Sequence, residues 1–189
     1  MLTFFDTIRR DLDLSWMGLA ALLVLVMVGS AVIGWVYEML FYHLDSGGEW
    51  VRRGQGMGPW LPIYGFGALG IMFSCWDIRT LPLRVILRSA LVTGLLELVT
   101  GWVLYHLFGG IRWWDYNTEI WNWGNIGGYV CFRSVAVFAL AGLALMVLVV
   151  PLTAALILRL GDRMVFPFAV LLGALYLSDY VWGYFVKGF

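Results

Sequence analysis

Five apolar stretches, near 16–43, 61–77, 82–108, 130–158 and 165–186, fill most of this 189-residue chain. A helix that crosses a bilayer needs about 20 predominantly apolar residues. The pattern therefore predicts an all-α, polytopic transmembrane helix bundle of about five spans. Composition agrees: only 13% of the residues are charged, against about 25% in soluble domains. Residues 16–189 read as a single transmembrane domain, with loops at 44–60 and 109–129. Residues 1–15 read as an interfacial N-terminal segment, with Phe4, Phe5, Ile8 and Leu12 toward lipid. The mixed charges at the start and the long apolar run behind them do not fit a cleaved signal.

Loop arginines set the orientation. With the N-terminus inside, Arg9, Arg10, Arg79, Arg84, Arg88, Arg159 and Arg163 face the cytoplasm. Arg52, Arg53, Arg112, Arg133 and Lys187 face outward. The two long loops then lie on the external side, and they hold most of the unusual residues. Lysine and arginine total 12, balanced by 12 acids with no basic tract, so a nucleic-acid partner has no support. Cys75 and Cys131 are too few for a disulfide framework and read as packed core residues.

Two acids interrupt the first and third spans. An ionisable side chain at the centre of a membrane helix costs at least about 2.5 kcal/mol, so it has a partner or a job. Glu38 lies near the outer end of its span. Glu97 lies roughly 16 Å below the end of its own at helical rise, near mid-membrane. Ser30, Gly34 and Glu38 are spaced by four residues, as are Thr93, Glu97 and Gly101, which puts each set on one helix face. Small residues at that spacing allow close helix approach. Both acids are expected to face the bundle interior, either as packing ties or as a proton carrier, ion site or general base. A shared offset of 59 residues relates Ser30 to Ser89, Glu38 to Glu97 and Arg53 to Arg112. It suggests two parallel helix-pair halves. Asp179 reads as structural, satisfied by a neighbouring hydroxyl or indole. Tyr176, Tyr180 and Trp182 read as an aromatic belt.

The loops carry two distinctive runs. In "GPWLPIYG", Pro59 and Pro62 remove backbone donors, while Gly58 and Gly65 permit tight geometry. Irregular backbone at membrane depth is tolerated where it is buried in protein or lines a cavity, and Tyr64 would point inward there. Arg53 is the expected countercharge of Glu38. In "WWDYN", Trp113 and Trp114 are expected to anchor at the interface. Asp115 is expected to pair with Arg53, Arg112 or Arg133, or to cap the turn toward Asn117. No metal or cofactor is implied. His43 and His106 stand alone, and the literal GxGxxG at 65–70 follows no strand and is rejected as a nucleotide site.

These runs carry a family resemblance. "SAVIGWVYEMLFY", "RRGQGMGPWLPIYGFG", "LLELVTGWVLYHLFGGIRWWDY" and "NWGNIGGYVCFRS", in that order over about 28–135, resemble the bacterial membrane family labelled putative ABC-transporter type IV. The matching positions are Ser30, Gly34, Trp35, Glu38, Arg53, Gly54, Gly58, Pro59, Pro62, Ile63, Tyr64, Gly65, Glu97, Gly101, Trp113, Trp114, Asp115, Tyr116, Asn125, Gly128 and Ser134. Gln55 stands where the family has an aromatic, and Leu98 where it has tyrosine. The resemblance implies a multi-pass protein of a bacterial cytoplasmic (inner) membrane and a permease-like role.

Of the matching positions, Glu38, Arg53, Tyr64, Glu97, Asp115, Tyr116 and Asn125 are the expected pocket residues. Ser30, Gly34, Trp35, Gly58, Pro59, Pro62, Gly65, Gly101, Trp114 and Ser134 are expected to set packing and loop geometry. The chain carries no ATPase motif, so transport would need a separate ATPase, a homo-oligomer, or both. The first expectation is a permease-like subunit with an outward-facing polar pocket for a small or amphiphilic solute. The alternatives are an intramembrane enzyme on a lipid or lipid-linked substrate, and a structural subunit.

Overall fold

The computed structural model describes residues 2–187, and all regular structure among them is helical. Six helices follow one another. They are α1 (Leu2–Asp11), α2 (Trp16–Asp45), α3 (Pro62–Cys75), α4 (Pro82–Leu107), α5 (Phe132–Leu160) and α6 (Asp162–Val181). Helix α6 continues through a wide turn over Trp182–Val186. Helices occupy all five stretches read as spans. By length and composition α2, α5 and α6 are apolar enough to cross a membrane.

Local chemistry sets the breaks. Ser15 caps α2 by accepting from the Gly18 N–H at 3.0 Å, and its hydroxyl also bonds Asp162 at the start of α6. Pro151 has no N–H to give the previous turn of α5, and that turn, Leu145–Val149, widens to a π form around it. Gly161 separates α5 from α6 at φ +84°, a left-handed conformation that suits glycine.

The chain divides into two compact units. One comprises the residues up to Leu69 and those from Val147 on; the other is Gly70–Met146. In the first, α2 packs against α6 and the last third of α5. Its core is Met27, Val28, Ala31 and Tyr176, flanked by Val24, Trp60, Leu69 and Leu172. Tyr176 is fully buried in that core, so it is not part of an interfacial belt. Ile8 of α1 is also fully buried and does not turn to lipid.

In the second unit, α4 packs against the first half of α5. Helix α4 is inverted relative to a soluble amphipathic helix. Ser89, Thr93 and Glu97 are buried, while Leu83, Leu87, Leu91, Leu95 and Val99 are exposed. Both rows step by four residues and lie on different faces. Leucines gain nothing from water, whereas lipid accepts them and forces polar groups inward. This inversion is the pattern expected of a helix set in lipid.

The two units share a helix–loop–helix plan. Helices α2 and α4 each carry a Tyr-His-Leu sequence at their C-terminal ends, 42–44 and 105–107. The Arg53 guanidinium lies 3.7 Å from the Tyr42 ring centre, and that of Arg112 lies 4.4 Å from Tyr105. These equivalent tyrosines are 63 residues apart, four more than the 59 suggested by the acids. In the frame of the tyrosines Ser30 matches Thr93, Gly34 matches Glu97 and Glu38 matches Gly101. The second acid therefore sits one helical turn deeper than the first.

Candidate functional site

Three buried or half-buried carboxylates organise the loops, each within its own unit. In the first unit, Arg53 Nε donates to Glu38 Oε2 at 2.8 Å, and the Tyr64 hydroxyl donates to Oε1 at 3.0 Å. Trp35, on the same helix, fixes the arginine by donating its indole N–H to the Arg53 carbonyl at 3.2 Å. Gly34 explains how Tyr64 gets there. A methyl group on Gly34 would run into the Tyr64 ring, so the bare backbone is what lets the ring lie across α2 and reach Glu38 one turn on.

Asp179, on α6, holds the "GPWLPIYG" loop. Its Oδ1 accepts from the Met57 N–H at 2.7 Å, and its Oδ2 from the Gly58 N–H at 3.0 Å and the Trp60 indole at 2.7 Å. Arg52 bonds the carbonyls of Gly56 and Met57 from the other side. The loop backbone is thus satisfied at both its donors and its acceptors, as burial requires. The sequence pointed to a neighbouring hydroxyl or indole for Asp179; the indole comes instead from Trp60, 119 residues away in the chain. The two backbone donors were not foreseen, because they lie more than 120 residues away in the chain. Pro59 ends the clamped run and Pro62 opens α3, with Tyr64 as its third residue.

In the second unit, Glu97 is 4% exposed. Tyr116 donates to its Oε1 at 2.6 Å and Ser134 to its Oε2 at 2.7 Å. Both partners are neutral hydroxyls, one from the loop and one from the third residue of α5. Tyr64 and Ser134 thus hold the same helix position and reach the acid of the preceding long helix in the same way. Burial, and then the neighbouring Glu97 charge, push the Tyr116 phenol well above its ordinary range, so it is a hydroxyl donor at neutral pH.

A fourth acid escaped the sequence reading. Glu119 is buried and bonds Arg133 Nη2 at 2.6 Å, while Arg133 Nη1 takes the Ile120 carbonyl at 2.7 Å. The arginine also lies 5.4 Å from the Tyr116 ring centre. The available signal was an acid in a tryptophan-rich run with an arginine 14 residues later.

Asp115 pairs with Arg112 at 3.3 Å and caps the turn by accepting from the Asn117 N–H at 3.1 Å, two of the expected options. Asn117 and Asn125 extend the network: Asn125 Nδ2 donates to Asn117 Oδ1, and Asn125 Oδ1 accepts from Gly128, both at 2.8 Å. Gly128 has φ +82°, and a side chain there would enter the Asp115, Asn117 and Arg112 cluster.

Trp113 and Trp114 follow Arg112 in the loop. Both are partly buried, and Trp114 donates to the Tyr129 carbonyl at 2.8 Å and lies against Gly101. A folded loop offers them partners that an extended one would lack. The expected pocket residues thus fall into separate groups: Glu38, Arg53 and Tyr64; Glu97 and Tyr116; and Asp115 with Asn125. Among the described residues no group of three or more metal-ligating side chains occurs.

The family model for putative ABC-transporter type IV matches residues 24–184. The chain belongs to this family. The match extends beyond the motif-bearing stretch to include all of α5 and α6, and with α6 the Asp179 clamp. Together with its apolar helices it marks a membrane protein of the ABC-transporter kind. No curated protein and no solved structure matches the chain significantly.

Proposed function

We propose that the chain is a permease-like membrane subunit whose polar pocket, under the external loops, takes a small or amphiphilic solute. It would cross a bacterial inner membrane about five times, with a separate ATPase or further copies of itself completing a transporter. Glu97, Tyr116 and Arg133 would form the working part of the pocket. Asp115 and Asn125 would shape the covering loop, while Glu38, Arg53 and Tyr64 would tie helix to loop within the first unit.

One observation carries this reading. The deepest acid, Glu97, is held by two neutral hydroxyls, whereas Glu38 is held by a cation. An ion pair between helix and loop is a strong tie, because breaking it leaves charge uncompensated. Hydroxyl bonds to a carboxylate, each worth about 1.5–3 kcal/mol, leave no charge uncompensated when a ligand's donor group takes the place of the hydroxyl. The acid's hydroxyl partner Tyr116 is part of the loop itself, so lifting the loop would free one carboxylate oxygen for an incoming donor group. The inverted α4 adds that this carboxylate is enclosed by protein and faces away from lipid.

The test is complementation in cells lacking the gene. Glu97→Gln, expressed at the wild-type level, is expected to lose the wild-type phenotype and the uptake that accompanies it. Full restoration by Glu97→Gln would overturn the pocket assignment. The structural reading has its own support, since both oxygens of Glu97 are satisfied. It would show as a variant whose loss of function tracks loss of thermal stability alone.

A further inference from the structure

The loop after α4 pairs its charges with one another and turns Trp121 and Trp123 outward. Glu119 and Arg133 are spent on each other in the interior, and Asp115 bonds Arg112. Residues 120–126, "IWNWGNI", contain no charge at all. Trp121, Trp123 and Ile126 are nevertheless more than half exposed. A water-facing loop would normally show the reverse. Trp121 moreover adopts φ +54°, a left-handed conformation that costs a non-glycine residue roughly 1–2 kcal/mol. Strain of this kind persists only where the surroundings enforce it.

The bonds that enforce it tie the segment to the rest of the loop. Arg133 holds the Ile120 carbonyl. The Asn122 amide donates to the Tyr116 carbonyl at 2.9 Å, and the Phe132 N–H to the Trp123 carbonyl at 2.8 Å. The flanking helix ends are lipid-type surface: Leu107, Phe108 and Phe132 are all more than half exposed. At Phe132, bonded to Trp123 and lying beside Gly124, the indole-bearing segment meets the apolar start of α5.

We propose that residues 120–126 form a foot that rests in the phospholipid interface on the loop side of the membrane. Indoles favour that zone, where an apolar ring meets water-accessible N–H partners. Asn122 and Asn125 are spent on loop bonds and do not compete. The occupant is lipid and not a second protein, because the segment is bonded to Phe132 at the start of α5, a helix apolar enough to cross a membrane whose Phe132 and Leu140 are exposed. The foot is hydrogen-bonded to Tyr116, so its seat in the interface also sets the position of the Glu97 latch.

The test is spin-label depth measurement on the full chain in vesicles of phosphatidylcholine with phosphatidylglycerol. Labels go on Trp123→Cys and Ile126→Cys, with Leu95→Cys as a lipid reference and Glu49→Cys as a water reference. Both native cysteines are buried, and unlabelled wild-type protein sets the background. At 123 or 126, the ratio of oxygen collisions to nickel-chelate collisions is expected to exceed that at 49 several-fold and approach that at 95. A ratio equal to that at 49 would overturn the proposal. So would a label shielded from both reagents, since that indicates a protein partner. Either site suffices if the other variant fails to fold. The measurement needs no solute, so it stands or falls independently of the pocket assignment.

Discussion

Tyr116 and Glu97 are 19 residues apart, yet the phenol oxygen lies 2.6 Å from the carboxylate. Between them the chain leaves its helix, turns at Gly109 and Gly110, and folds back over the acid. Replacing the tyrosine by phenylalanine keeps the ring and removes the donor. A buried acceptor that loses a partner costs about 1–3 kcal/mol. Tyr116→Phe is expected to lower the melting temperature of detergent-purified protein by several degrees, while Ser134→Ala does the same from the other oxygen. An unchanged melting temperature in both variants would show that these bonds are not formed.

Gly34 and Tyr64 make a second prediction. Gly34→Ala drives a methyl into the ring, and overpacking of this kind costs about 1–3 kcal/mol. In a Tyr64→Ser background the ring is gone and most of that cost should vanish. A double-mutant cycle on thermal stability reads the coupling. Additive effects would mean that the ring does not lie against the glycine.

Asp179 should control the mobility of a loop far from it in sequence. Asp179→Asn keeps the size but supplies one acceptor oxygen where two now serve three donors. Amide hydrogen exchange at Met57 and Gly58 is expected to rise well above wild type, with α4 unaffected. Equal protection in the two proteins would contradict the clamp.

The Glu119–Arg133 pair is enclosed, with side chains only 4% and 10% exposed. Arg133→Ala leaves a buried carboxylate without its cation, a loss of about 3–5 kcal/mol. Removing both charges, as Arg133→Met with Glu119→Gln, is expected to be clearly milder than Arg133→Ala alone. Expression level and melting temperature both read the difference. A double variant worse than the single one would point to a role for the pair beyond mutual compensation.

Much of the site was legible because its chemistry is costly in a membrane. Glu38 and Glu97 stood out against leucine and valine, and the step of four placed each beside a small residue. Arg53 could be matched to Glu38 as the nearest loop cation next to a glycine. Glu97 was read as the deeper acid, but the offset that paired the two halves was framed on the acids. Tyr42 and Tyr105, each under an arginine, set it one turn differently. Composition says that indoles gather at the loop, and the fold decides that Trp114 turns in and Trp123 turns out.

The sequence by itself determined that this chain is helical and membrane-bound, where its helices run, and which residues could not be left unpartnered in lipid. Those properties follow from hydrophobicity and periodicity, which act along the chain. Tertiary structure alone decided the pairings: Asp179 with Met57 and Gly58, Glu119 with Arg133, and Glu97 with Tyr116 and Ser134. A buried carboxylate accepts any well-placed N–H or O–H donor, so its chemistry specifies the need for a partner and leaves the choice to whichever segment the fold brings within 3 Å.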